Sequence, residues 1–508
     1  MIKVILLVIF FAVMVAVGIY SRKHAMSVDG FVLGGRSVGP WLTAFAYGTS
    51  YFSAVVFVGY AGQFGWKYGL ASTWIGIGNA VIGSLMAWVV LGRRTKVMTQ
   101  YLNSKTMPDF FGSRYGSKPL KIAASAIVFV FLVPYTASIY NGLSRLFEMA
   151  FHIPYAWCVI GMAVFTGIYV ILGGYMATAI NDFIQGIIML AGIIVVIAAV
   201  LNGQGGFLEA VGKMAEIPSD VEITLGQPGA FTSFFGPDPG NLLGVVILTS
   251  LGTWGLPQMI GKFYAIKDEK SINTGTVIST VFAIVVSGGC YFLGGFARLF
   301  DAPAIYDEAG AVVYDSIIPH MLSALPDILI GIVVVLVLSA SMSTLASLVL
   351  TSSSTLTLDF LKDNLLKEMS EKRQVRTMQA LVIFFIAVSV FIALDPPTFI
   401  AQLMGISWGA LAGAFLAPFL YGLYWKGTTR AGVWASFIVG VGITVVNMFM
   451  PFIESSINAG AVAMVAGLIV VPVVSLITPK LSREKTDAIF SCYEEKVTIT
   501  KKRSLEQN

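Results

Sequence analysis

The sequence predicts an all-α polytopic membrane protein, and three observations carry that prediction. The 508-residue chain is 56% hydrophobic and only 12% charged, with a mean hydropathy of +0.82. Too little polar surface remains to cover a water-soluble fold. The apolar residues gather into runs of about 20, the length a helix needs to cross hydrocarbon. Finally, 27 of the 32 Lys and Arg fall in alternate connections or in the C-terminal tail, the asymmetry that orients membrane helices.

Thirteen spans follow in order: 2–20, 41–63, 70–92, 120–150, 153–172, 180–201, 241–264, 272–296, 326–358, 377–394, 398–424, 431–451 and 459–478. The first, IKVILLVIFFAVMVAVGIY, has no small-residue cleavage site and runs straight into SRKHAMSVDGF, so it reads as a retained helix. An odd number of spans puts the termini on opposite faces. With the N-terminus outside, the basic residues of 93–121, 262–270, 362–376 and the tail all lie inside. The expected location is the cell membrane, with a cytoplasmic C-terminus. The 202–240 connection is acidic with a single lysine, which suits the outer face, and DAPAIYDEAGAVVYDSIIPHML is expected to form a short outer helical cap. Residues 1–480 make the membrane domain; 481–508 read as a charged, partly disordered cytoplasmic tail.

Composition excludes several classes. Cys158 and Cys290 lie in apolar runs and Cys492 in the tail, which offers neither a disulfide framework nor metal-ligand spacing. His24, His152 and His320 fall at span ends or in loops, so a histidine proton relay is not expected. The net charge of +5 follows from topology and does not point to nucleic acid. No nucleophile–base pair sits among the spans, so no enzyme is expected.

Spans 2 and 7 carry interruptions in corresponding places. The second holds GTSYFS with Gly48, and the seventh holds SLGTWGLP with Gly252, Gly255 and Pro257. A pair of Gly- or Pro-interrupted spans in two halves of a chain points to broken helices with a binding site between them; glycine-mediated close packing is the competing use.

One acid lies inside a span, Asp182 in GGYMATAINDFIQG. A carboxylate there needs a cation or a proton. No Lys or Arg is placed at its depth in a neighbouring span, so an ion from solution is the simplest partner; capping its own helix start is the alternative. In SASMSTLAS, Ala340, Ser343, Thr344 and Ser347 share one helical face. Two hydroxyls beside a backbone carbonyl make an uncharged oxygen site suited to a hard monovalent cation, whereas a divalent ion asks for more carboxylate. Hydroxyls that bond back to their own helix give the plainer reading. Where span 2 unwinds, Thr49 and Phe52 would lend carbonyl oxygens, with Ser50 and Ser53 in the same gap.

The segments FVLGGRSVGPWLTAFAYGTSYFS, YTASIYNGLSRLFE, GGYMATAINDFIQG, PQMIGKFYA, SASMSTLAS and YWKGTTRAGVWASFIVGVG, in this order, resemble the sodium/solute symporter family over nearly the whole chain. The nearest branch is the sodium/proline carriers. The resemblance implies a five-plus-five inverted-repeat core, about 41–201 and 241–424, and secondary transport of a small organic solute by alternating access. It places the family's sodium site on the carbonyls of Thr49, Phe52 and Ala340 and the hydroxyls of Ser343 and Thr344. Asp182 matches an acid on the inner sodium path, with Ser347 available for a second sodium; Ala346 removes one further hydroxyl. The expected substrate gap holds Ser50, Tyr51, Ser53, Tyr135, Thr249, Thr253 and Trp254. The nearest branch implies an amino acid such as proline or a small carboxylate as substrate, with sialic acid, sugar or pantothenate as alternatives; Tyr51, which stands where proline carriers have an aspartate, and Thr249 and Thr253, which replace aromatics, are departures from the proline pattern. Proton coupling through Asp182, a sensor and a channel are the rival uses of the fold. The lipid bilayer is the expected environment and a monomer the expected functional unit.

Overall fold

The computed structural model describes residues 2–366 and 368–494, apart from the side chains of Ile2, Lys3 and Asn364. Among the described residues every regular element is helical, with two isolated bridges, Val38–Ile266 and Tyr306–Val312. Among the described residues, eleven helical runs are long and apolar enough to cross a bilayer. Two of them contain a sharp glycine break. Val55–Tyr101 is divided at Gly69 (φ 58°, ψ −141°), and Tyr155–Gly203 at Gly174 (φ 52°, ψ −147°). Only glycine enters that backbone region without strain. Divided there, the runs give the thirteen spans expected.

Both interrupted spans are broken. In span 2 the helix Pro40–Tyr51 ends at Phe52, which is extended (φ −103°, ψ 120°). Ser53 restarts it: its carbonyl accepts the N–H of Val56 and Phe57, and its hydroxyl accepts the N–H of Val55 at 3.2 Å. In span 7, Pro239–Leu251 runs into a 3₁₀ turn, Gly252–Trp254. Leu256 is then extended and Pro257–Ala265 resumes the helix. Pro257 suits that start, since its missing N–H is one of the donors a helix leaves unpaired there.

The broken helices sit against the most enclosed spans. Spans 9 (Asp327–Asp363) and 11 (Ile400–Tyr424) are 78% and 89% buried over their most apolar stretch, against 22% for span 1 and 33% for span 10. Close approaches are made by glycines. A Cβ on Gly65 would stand 1.8 Å from the Gly294 carbonyl oxygen, so the second half of span 2 touches span 8 backbone to backbone. Spans 11, 12 and 13 meet the same way: a Cβ on Gly440 would be 2.2 Å from the Gly413 carbonyl carbon, and one on Gly409 2.8 Å from the Gly460 Cα. Such contacts draw membrane helices together where the hydrophobic effect does not.

Connections are anchored on both faces. In the acidic connection Phe207–Glu216 is helical. Arg298 pairs with Asp220 at 2.7 Å and lies 4.2 Å over the Trp66 ring. The expected cap appears as the helix Tyr314–Ser323. Its Asp315 accepts the Ile400 N–H at 3.2 Å, and burial pushes its carboxyl up to about 6 despite that bond. On the basic face, Lys121 lies 2.8 Å from Asp109, 3.3 Å from Asp359 and 2.8 Å from Asp363. Of the tail, Arg483–Phe490 is helical and Phe490 is buried. Arg94 is held between the rings of Tyr424 (4.1 Å) and Tyr493 (4.6 Å). Residues 495–508 lie outside the described residues.

Candidate functional site

The five oxygens expected to share a cation site come together. Thr344 Oγ1 lies 3.1 Å from the carbonyl oxygen of Thr49, 3.2 Å from that of Phe52 and 3.1 Å from that of Ala340. Ser343 Oγ lies 3.2 Å from the Thr49 and 3.0 Å from the Ala340 oxygen. The break in span 2 produces this convergence. Val56 N–H, which would bond the Phe52 carbonyl in an unbroken helix, bonds Ser53 instead. The Thr49 side chain bonds back to Phe45 at 2.8 Å, so only its carbonyl faces span 9. Two hydroxyl protons serve three carbonyls, which leaves an excess of lone pairs in a fully buried place. Uncharged oxygens in excess of their donors are the ligand set a hard monovalent cation takes.

Asp182 is fully buried, two helical turns beyond the Gly174 break, so the helix-cap alternative fails. The expectation that it has no basic partner fails as well. Lys262 Nζ stands 3.8 Å from its Oδ2, donates to Ser347 Oγ at 3.0 Å and lies 5.2 Å over the Tyr175 ring. Sequence reasoning counted Lys262 among the basic residues of the inner face. The half-helix Pro257–Ala265 instead carries it inward, to 3% exposure. Ser50 Oγ and Ser347 Oγ share a hydrogen bond of 2.8 Å, so Ser50 belongs with this charged pair rather than with the aromatic gap. Lys262 borders a cleft also lined by Thr106, Tyr175, Gln258, Ser347 and Ser354, with Asp182 behind it.

The remaining predicted residues divide into two groups. Tyr51 and Tyr135 flank Trp408, their ring centroids 6.2 Å and 5.9 Å from its ring. The Tyr51 and Tyr135 hydroxyls and the Trp408 indole N–H are buried; the Tyr135 hydroxyl faces Ser53 and the Trp408 indole, and the Tyr51 hydroxyl faces Ser287. Polar tips gathered on an otherwise apolar aromatic surface give a solute with hydrogen-bonding groups somewhere to bind. Gly252, at the break of span 7, lets Trp408 approach: a Cβ there would be 2.8 Å from its ring. Thr253 and Trp254 instead bond to span 3, Thr253 Oγ1 to Gly83 O at 3.1 Å and Trp254 Nε1 to Ile82 O at 2.9 Å. Those carbonyls lie in the π-helical stretch Asn79–Met86, where wide turns often mark functional sites. Thr249 bonds back to Val245 at 2.9 Å, and Ser53 caps its helix. Asn79, which joins Ser250 and Ser287 at 3.1 Å each, and Trp408 were missed. The signal for Asn79 was an amide in an apolar span; Trp408 gave none beyond that of a core aromatic.

The family model for the sodium:solute symporter family matches residues 31–440. The chain belongs to the sodium:solute symporter family. Curated relatives include the sodium/proline symporter of Staphylococcus aureus, 29% identical over 94% of this chain and 93% of that protein. Among solved structures, a Na+-coupled sialic acid symporter in a substrate-bound outward-open state has a TM-score of 0.77 at 14% identity, covering 95% of this chain and 99% of that one. Mhp1, a nucleobase-cation-symport-1 family transporter in a closed conformation with bromovinylhydantoin, has a TM-score of 0.50 at 16% identity, covering 90% and 97%. The protein is therefore a multi-pass membrane symporter with the broken-helix fold of sodium-coupled carriers.

Proposed function

We propose that this symporter imports a small organic solute, an amino acid such as proline or a small carboxylate, with sodium bound by Thr49, Phe52, Ala340, Ser343 and Thr344. The observation that carries the reading is the oxygen cluster between spans 2 and 9, next to an aromatic box of Tyr51, Tyr135 and Trp408. Sodium between the break of span 2 and the face of span 9 replaces competition for two protons with ion–oxygen contacts, which holds Phe52 extended. Tyr51 precedes Phe52 directly, so fixing the break also fixes one wall of the substrate gap. A substrate that hydrogen-bonds the Tyr51, Tyr135 and Trp408 polar atoms gains most when that wall is in place, and sodium and substrate then favour each other's binding. The membrane potential adds about 2.3 kcal/mol per charge per 100 mV to the inward drive.

The amino-acid assignment draws on the sodium/proline symporter relatives. Tyr51 in place of an acid favours a substrate whose hydrogen-bonding groups meet a hydroxyl rather than a carboxylate. The distribution of basic residues favours an N-terminus outside and a C-terminus in the cytoplasm of a cell-membrane protein, and we take a monomer as the working unit. The test is uptake of labelled proline into proteoliposomes under an inward sodium gradient, against a potassium control, with unlabelled amino acids, monocarboxylates, sugars and sialic acid as competitors. Sodium-dependent proline uptake supports the reading. Uptake driven by a pH gradient without sodium would overturn the coupling, and competition by sialic acid or sugar alone would overturn the substrate class.

A further inference from the structure

We propose that the Lys262 ammonium is a tethered substitute for a second sodium ion, so that the carrier binds one sodium per cycle and removal of this lysine opens a second cation site at Asp182. The proposal rests on the sodium assignment above and adds the coupling stoichiometry.

The geometry sets a cationic side chain beside a buried carboxylate. Asp182 supplies the charge, with Lys262 Nζ 3.8 Å from Oδ2. Ser347 Oγ supplies a neutral oxygen at 3.0 Å, and the Tyr175 ring closes another side at 5.2 Å. Lys262 and Asp182 are 3% and 0% exposed. An ammonium and a sodium ion both seek oxygen ligands and carry one positive charge. In a buried place with a single carboxylate there is room for one such charge, because a second cation beside the first meets strong repulsion in a low-dielectric surrounding. A lone buried carboxylate, conversely, draws a cation when its partner is taken away.

A small cleft reaches Lys262 from the basic face. Thr106, Gln258, Ser347 and Ser354 line it together with Lys105 and apolar residues of the neighbouring helices, so a cation entering this way must shed water and pass a second basic group. The ammonium is also wired to the first site. Ser347 bonds Ser50 at 2.8 Å, and Ser50 follows Thr49, whose carbonyl belongs to the five-oxygen cluster. The tethered charge thus ties the first half of span 2 to span 9 without drawing on the sodium gradient. Because Lys262 rides on the half-helix after the break of span 7, this charge moves with that half-helix and never leaves the protein.

The experiment is equilibrium binding of radioactive sodium to the purified full-length protein, measured by scintillation proximity against choline. The expected count is one sodium per chain in the wild type, two in Lys262→Met and in Lys262→Gln, and one again in Lys262→Met/Asp182→Asn. Thr344→Ala in the wild-type background is expected to weaken the single site, and in the Lys262→Met background to leave one of the two intact. A count of two in the wild type overturns the inference without any variant. A count of one in whichever folded Lys262 variant is obtained overturns it too, while leaving the five-oxygen site standing. No sodium bound to the wild type would instead sink the assignment of the first site, and the inference with it.

Discussion

Replacing Thr344 with alanine removes the one atom that touches three carbonyls at once. Its Oγ1 lies 3.1–3.2 Å from the oxygens of Thr49, Phe52 and Ala340. The variant has two separable effects. Without sodium it loses one interhelical hydrogen bond, worth about 0.6 kcal/mol in the average membrane protein case, and the melting midpoint should hardly move. With sodium it loses a neutral ligand of a buried charge, worth about 1.5–3 kcal/mol, and the half-saturating sodium concentration should rise by about 10- to 160-fold. The assay is the melting midpoint of purified protein as sodium replaces choline at constant ionic strength. Thr344→Ser keeps the hydroxyl and should retain most of the affinity. Ser341→Ala is the control: Ser341 accepts the Ala54 N–H at 3.2 Å but is outside the five-oxygen set. A half-saturating sodium concentration in Thr344→Ala within twofold of wild type would show that these oxygens hold no ion.

Three further predictions concern the frame around the site. Gly65→Ala puts a Cβ 1.8 Å from the Gly294 carbonyl, backbone that cannot swing aside. It should destabilise by about 1–3 kcal/mol or more and lower the melting midpoint, whereas Gly442→Ala, which meets nothing within 4 Å, should not. Asp315 titrates near 6 in the folded protein because it is buried, above the usual 3.9 or so of an unfolded aspartate. Its stabilising contribution is therefore complete below about pH 4 and lost as pH rises through about 6, a swing of at most about 3 kcal/mol. Asp315→Asn, which can still accept the Ile400 N–H, should flatten the pH dependence of the melting midpoint between pH 4 and 7 and raise it at pH 7.5; an unchanged profile would count against it. Tyr493→Ala removes one of the two rings holding Arg94, a contact worth about 0.5–1 kcal/mol. Hydrogen exchange over 483–490 should speed up while exchange in span 3 stays as it was.

Much of this architecture could be read in the residues because bilayers impose simple rules. Each span had to be a long apolar helix, and SLGTWGLP and GTSYFS marked the stretches where two of them stop, although span 2 breaks at Phe52, four residues beyond the Gly48 that marked it. The five-oxygen set was legible because Ala340, Ser343 and Thr344 keep helical spacing along an unbroken stretch of span 9. The same logic failed across a break. Ser50 and Ser53 are one turn apart on paper, but the extended Phe52 resets the phase, so Ser50 meets Ser347 while Ser53 caps the restarted helix. Lys262 was misplaced for a related reason. Counting charges by face assumes that a residue near a span's end is near the surface, whereas the half-helix after Leu256 directs this side chain back toward Asp182. Trp408 was invisible because nothing in its neighbourhood departs from an ordinary buried span; its importance comes from Gly252, more than 150 residues earlier in the chain.

The backbone contacts among Gly413, Gly440, Gly409 and Gly460 have a practical use. Helices joined so closely slide or tilt against each other only at a high cost in packing, so spans 11 to 13 are expected to move as one unit inside a machine whose other parts must change places. A spin label at the exposed Phe452, in the connection between spans 12 and 13, would serve as the origin of a distance ruler. Measured from there, a second label that keeps its distance through the transport cycle belongs to the scaffold, and one whose distance changes belongs to the part that rocks.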